Sequence, residues 1–160
     1  FHPFISFGGA AANHYIKEAY MRVKDLMSTS VTCVKPDTSI EQVARQMKQE
    51  NVGSIPVCND RGEVMGIITD RDIVIRSVSN ENRPKIVKEI MTKNLVVAEP
   101  GMDTHEASLL MAKYQVRRLP VVENNQIVGM LAMADIARKP IYVDEAGDAL
   151  SAISKQSTLS

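Results

Sequence analysis

The stretch "VKDLMSTSVTCVKPDTSIEQVARQMKQENVGSIPVCNDRGEVMGIITDRDI", residues 23–73, is echoed by "VKEIMTKNLVVAEPGMDTHEASLLMAKYQVRRLPVVENNQIVGMLAMADI", residues 87–136. With a single one-residue gap in the turn after Asp60, the two match at Val23/Val87, Met27/Met91, Pro36/Pro100, Met47/Met111, Val52/Val116, Pro56/Pro120, Gly66/Gly129 and Asp72/Asp135. So many landmarks in the same order mark an internal duplication, and each copy reads as one supersecondary unit.

Within the first copy, Thr38-x-x-Glu41 has the form of a capping box, and Ile40, Val43, Ala44 and Met47 then recur at the spacing of one helix face. The second copy offers Asp103 and Glu106, followed by Ala107, Leu110, Met111 and Tyr114. After each helix come two β-rich runs around a polar turn: "SIPVC" and "EVMGIIT" about Asn59–Gly62, then "LPVV" and "QIVGMLA" about Glu123–Asn125. These predict hairpins. Before each helix, "SVTCV" and "NLVVA" predict a short strand ending at Pro36 or Pro100. The expected unit is β-α-β-β-α, its last helix opening within "GIITDRDIVI", residues 66–75. A unit of about fifty residues buries too little surface alone. An α+β fold of two repeats packed as an intramolecular pseudo-dimer is therefore expected, with the polar "SVSNENRPK", residues 77–85, as the exposed link.

The expected layout is an extension over 1–21, one repeat over 22–80, a second over 81–139 and a tail over 140–160. The first twenty residues do not share the organisation of the chain from Met21 onward and are read as an added or processed extension, with "NHYIKEAY" forming a leading helical turn. The tail predicts a short helix over 144–155.

Lys plus Arg and Asp plus Glu number 19 each, so no net basic field exists to hold nucleic acid, and any anion must be held by local charges. No apolar run approaches the roughly 20 residues that span a bilayer. Cys33 and Cys58 lie in β-like runs and resemble neither a disulfide framework nor a zinc knuckle, which predicts buried free thiols and a reducing, cytoplasmic compartment. His2, His14 and His105 are scattered, so no metal site is expected. No nucleophile elbow, phosphate-binding glycine loop or catalytic Cys/His arrangement appears, and the chain is read as not an enzyme, with no catalytic cofactor.

The elements "DLMS…VKPDTSIEQVARQM…VGSIPV…GEVMGIITDRDI" and "EIM…AEPGMDTHEASLLM…VRRLPVVENNQIVGMLAMADI" resemble a tandem pair of cystathionine-β-synthase (CBS) domains, a Bateman module, over residues 22–138. The resemblance implies a regulatory module whose cleft between repeats binds an adenosine-containing molecule: AMP, ADP, ATP or S-adenosylmethionine. It assigns the family's [Ser/Thr]-x-x-Asp element to Thr69 and Asp72, the aspartate on ribose hydroxyls and the threonine near the phosphate. It also implies that Arg118, with Arg117 beside it, reaches the phosphate, and that adenine lies against Thr32, Val52, Ser54, Ile55 and Pro56.

The chemistry agrees. An ionised carboxylate only accepts hydrogen bonds and so suits the two O–H donors of a ribose diol. A helix start with a threonine hydroxyl favours the neighbouring phosphate. The second copy keeps Asp135 but has Ala132 in place of Thr69, while Ser54 stands opposite Arg118, so its phosphate devices are missing. Asp70 and Asp72 could equally serve as first-turn caps. Retention of Asp135 where the Thr and first Asp are lost is taken as an argument against capping alone, and it selects Asp72 as the ribose ligand, with Asp135 as the candidate of a weaker second site that a nucleoside, a differently placed ligand or nothing could occupy. Asp70 is read as a helix-start charge, and Arg71 as facing solvent or pairing with an acid. The resemblance further implies a homodimer and an effector protein as partners. The alternative reading is a ligand-free dimerisation or protein-interaction module.

Overall fold

The computed structural model describes residues 21–138, together with Leu150 and Ile153. The elements run α1 (Val23–Leu26), α2 (Ile40–Glu50), β1 (Ser54–Cys58), β2 (Val64–Thr69) and α3 (Asp70–Asp72), which continues directly as a π-helix, Ile73–Val78. A 3-10 turn, Val87–Glu89, leads to α4 (Thr104–Tyr114), β3 (Arg118–Glu123), β4 (Gln126–Ala132) and α5 (Met133–Ala137). The expected α+β class is borne out, with two-stranded sheets β1-β2 and β3-β4. The leading turn over "NHYIKEAY" lies outside the described residues. Of the tail helix over 144–155, only Leu150 and Ile153 are described, both helical.

Helix α2 forms where expected but is capped differently. Ser39, not Thr38, accepts the N–H of Gln42 at 3.2 Å. The Thr38 hydroxyl instead accepts the Lys35 N–H at 3.0 Å, closing the preceding turn. Asp103 caps α4 as expected, accepting from His105 N–H at 2.7 Å. The duplication extends to the helix ends: repeat-equivalent Asn51 and Gln115 both take the left-handed conformation, at φ 55° and 59°. Asn124 and Asn125, at φ 50° and 63°, make the two-residue hairpin turn between β3 and β4.

The strands predicted from "SVTCV" and "NLVVA" do not form. Only Val34 pairs, as a single parallel bridge to Val57: its N–H donates to the Pro56 carbonyl at 3.0 Å, and its carbonyl accepts from Cys58 N–H at 2.9 Å. Continuing that ladder needs an N–H from Pro56 toward Thr32 or from Pro36 toward Cys58, and proline has none. Ala98 is likewise a single bridge residue, with Pro100 two positions on.

Two compact units result. One comprises Ser28–Val97 and Pro120–Met130; the other, within the described residues, comprises 21–27, Ala98–Leu119 and 131–138 with Leu150 and Ile153. The core of the former joins Val34, Ile40, Val43, Met47, Ile55, Val57 and Ile68 to Val87, Ile90 and Met91, so residues of the second copy's opening segment complete a core built mainly by the first. In the latter unit, Val23 and Lys24 donate their N–H groups to Met102 and Pro100, which ties α1 to the turn before α4.

Gly66 makes one of these junctions possible. Ile67 and Thr92 exchange backbone hydrogen bonds at 3.0 and 2.9 Å, and a Cβ on Gly66 would meet the Thr92 carbonyl oxygen at 2.8 Å and Met91 Sδ at 3.0 Å. The repeat-equivalent pair, Ser28 and Met130, exchanges the same two bonds at 2.8 and 2.9 Å.

Candidate functional site

At the β2–α3 corner, Thr69 and Asp72 bind each other reciprocally. The Thr69 N–H donates to Asp72 Oδ2 at 3.0 Å, and the Asp72 N–H donates to Thr69 Oγ1 at 3.0 Å. The two bonds satisfy two donors that a helix start leaves without partners. Thr92 Oγ1 makes a long contact, 3.4 Å, to the same Oδ2. Asp72 Oδ1 has a different neighbour, Arg76 Nε at 3.7 Å, and the Arg76 guanidinium also donates to the Ile90 carbonyl at 3.2 Å. Thus Oδ2 is engaged by the fold, while Oδ1 faces one looser, half-exposed cation and keeps lone-pair capacity for further donors. The Thr69 hydroxyl is used here as an acceptor, so its proton remains available to donate.

The second corner has the same backbone design. Ala132 N–H donates to Asp135 Oδ2 at 3.0 Å, and Arg138 Nη1 lies 3.7 Å from Asp135 Oδ1. The inference drawn from the retention of Asp135 is corrected by this geometry: Asp135 caps its helix through its own carboxylate whether or not a threonine precedes it. Its retention is therefore compatible with capping and does not by itself select a ribose ligand.

Three of the other predicted residues lie on β1, which pairs with the strand leading into the first corner. Ser54 is the register partner of Thr69, Ile55 of Ile68, and Pro56 of Ile67. Ser54 is half-buried, whereas the Ile55 side chain lies in the core at 1 % exposure, leaving only its backbone to a ligand. Pro56 is buried, Val52 packs partly against the core, and Thr32 is exposed. Because Pro56 cannot donate, β1 supplies no ladder bond to the Thr32 carbonyl. Arg117, Arg118 and Asp135 belong to the other unit. There the Arg117 carbonyl accepts the Met133 N–H at 2.8 Å, which sets it beside the start of α5.

Thr92 and Gly53 were not singled out by the sequence reading. Gly53 is the repeat equivalent of Arg117, and its carbonyl accepts the Asp70 N–H at 2.9 Å, as that of Arg117 accepts from Met133. A Cβ there would meet Asp70 Oδ2 at 3.1 Å, so glycine leaves room for the Asp70 carboxylate, which also accepts the Arg71 N–H at 2.8 Å. Asp70 thus serves the helix start, as expected, and Arg71 is exposed. Aligning Thr92 with Ser28, both hydroxyl residues after a shared methionine, was the available signal. A separate cavity of about 500 Å³, lined by residues including Ile40, Ala44, Ile73, Val78 and Arg83, lies between α2 and the π-helix and does not include Asp72.

The family model for the CBS domain matches residues 23–79 and 87–152. The chain belongs to the CBS domain family. Among its relatives, "CBS domain-containing protein YhcV" of Bacillus subtilis (strain 168) is 43 % identical over 135 residues, covering 84 % of this chain and 96 % of YhcV. The solved CBS domain pair of protein MJ0100, in complex with 5′-methylthioadenosine and S-adenosyl-L-methionine, is 28 % identical with a TM-score of 0.68, covering 74 % of this chain and 94 % of that one. The structure of CBSX2 in complex with AMP, at 24 % identity and TM-score 0.68, covers 77 % of this chain and 98 % of that one and shows the shared fold. Among the described residues no helix is long and apolar enough to cross a membrane, and no group of three or more His, Cys, Asp or Glu side chains could hold a metal ion.

Proposed function

We propose that this CBS pair is a regulatory sensor of an adenosine-containing molecule, with Asp72 as the ribose ligand. The observation that carries the reading is the division of labour within one carboxylate: Oδ2 is taken by Thr69 and Thr92, and Oδ1 retains acceptor capacity. A ribose hydroxyl donating to Oδ1 completes the carboxylate without dismantling the cap. The Thr32 carbonyl, lacking a donor from β1, suits an amino group of adenine, and Val52, Ser54 and the Ile55–Pro56 backbone supply the surface beside it. The adenosine compounds named with the MJ0100 pair belong to the same ligand class.

Arg118, with Arg117, is proposed as a phosphate-binding cation, and Asp135 as a second ribose carboxylate in a corner that lacks the threonine hydroxyl. Binding alters the balance between two arrangements of the module, and an effector protein reads that balance; differential affinity is all such a switch requires. A homodimer is proposed through the exposed apolar side chains Val74, Ile75 and Val78 of the π-helix, which a monomer leaves in water. The proposed setting is the cytoplasm, where free thiols and adenine nucleotides coexist.

Comparison of AMP with 2′-deoxy-AMP by equilibrium dialysis tests the ribose assignment. Weaker binding of the deoxy compound is expected, and equal affinity for both would remove the role of the diol.

A further inference from the structure

Cys33 and Cys58 take no part in the ribose corner, yet the fold brings them together. Cys33 immediately precedes Val34, whose two backbone bonds hold it to β1, and Cys58 is the last residue of that strand. The ladder to β2 shifts register between Val57 and Cys58, leaving Met65 without a partner on β1. Both thiols are free, and their sulfurs lie 2.8 Å apart. That separation is inside ordinary non-bonded contact and roughly 0.8 Å longer than a disulfide bond of about 2.05 Å. The sulfurs are already within reach of one another.

We propose that Cys33 and Cys58 form a redox-modification site, which a peroxide-class oxidant converts to an intrachain disulfide and a dithiol reductant restores.

The two sulfurs have different parts in the reaction. Cys33 is half-buried and reachable, whereas Cys58 is 2 % exposed. The Cys58 S–H donates to Cys33, and this hydrogen bond pulls the Cys33 thiol below its ordinary range; burial opposes the shift and the Lys35 ammonium assists it. Lys35 is held at the strand end by donating to the Asn59 carbonyl at 2.9 Å. The same hydrogen bond, with burial, pushes Cys58 up. Cys33 is accordingly the attacking thiolate and Cys58 the resolving thiol.

Cys33 attacks one peroxide oxygen; the O–O bond breaks, and the departing hydroxide becomes water by taking a proton, leaving Cys33 as a sulfenic acid. The Cys58 sulfur then attacks the Cys33 sulfur, the S–O bond breaks, and the departing hydroxide takes the Cys58 proton as a second water. Two thiols and one hydrogen peroxide give one disulfide and two waters, the protein losing two electrons and the peroxide gaining them. The bond ties the segment carrying Thr32 to β1 and closes the chain around α2.

The test uses the full chain, reduced and desalted, then treated with hydrogen peroxide and examined by intact-mass and peptide mass spectrometry. The expected product has lost the mass of two hydrogens, carries a Cys33–Cys58 cross-linked peptide, no longer takes up iodoacetamide, and recovers both alkylation sites with dithiothreitol. Cys58→Ser should stop at a Cys33 sulfenic acid that dimedone traps, and Cys33→Ser should show neither cross-link nor adduct, each variant first checked for native circular dichroism. Two freely alkylated cysteines after excess peroxide, direct overoxidation of Cys33 to the sulfinic acid in the wild type, or a disulfide only between chains would each overturn the proposal.

Discussion

Asp72 and Thr69 each accept the other's backbone N–H at 3.0 Å, so the residue assigned to the ligand is also a structural part of the helix start. Function and stability are therefore separable only by substitutions that remove one side of the pair. Thr69→Ala removes the hydroxyl acceptor and leaves the carboxylate cap, the arrangement that Ala132 and Asp135 already show. A loss of about 1 kcal/mol is expected in urea unfolding. An unchanged midpoint would mean that the hydroxyl contributes nothing to the cap.

Gly66→Ala places a methyl where the Thr92 carbonyl and Met91 Sδ now lie at 2.8 and 3.0 Å. The methionine can move, but the carbonyl is fixed by its bond with Ile67. The expected cost is about 1–3 kcal/mol. A melting temperature equal to that of the wild type would show that the Ile67–Thr92 junction yields freely.

The lowered Cys33 thiol gives a pH signature. A thiolate is the alkylating form, so Cys33 in the folded chain should react with iodoacetamide at lower pH than in the urea-unfolded chain. Cys58→Ala removes the S–H donor and should move the folded profile back upward. Superimposable profiles for folded wild type and Cys58→Ala would exclude the hydrogen bond as the cause.

Val74, Ile75 and Val78 are each more than half exposed on the π-helix. The double substitution Ile75→Asp/Val78→Asp should convert a dimer to a monomer in size-exclusion chromatography with light scattering. A wild-type monomer, or a dimer that survives the substitutions, would place the association elsewhere or remove it.

The repeat made the helices and hairpins legible, because the helical period, the β-rich runs and the turn residues are local signals and occur twice. The first strand of the first copy failed for a reason present in the sequence but combinatorial: Pro36 and Pro56 block the ladder only once Val34 is known to pair with Val57. Thr38 and Ser39 are both competent caps, and the choice between them depends on the turn back to Lys35. At the site, the family resemblance singled out Thr69 and Asp72, whereas Thr92 reaches Asp72 across twenty residues through the close approach at Gly66. The capping role of Asp135 was hidden because its donor is the backbone of Ala132, and no side chain announces it.

Asp72 is proposed to hold the ribose of an adenosine-containing ligand. Asp72→Asn keeps an oxygen that can cap Thr69 and removes the charge that strengthens a hydroxyl's hydrogen bond. Isothermal titration of wild type and Asp72→Asn with AMP, ADP, ATP and S-adenosylmethionine is the direct measurement. Saturable binding of at least one compound by the wild type and about tenfold or greater weakening in the variant are expected. No heat and no thermal shift with any of the four, or an affinity unchanged by the substitution, would contradict that role.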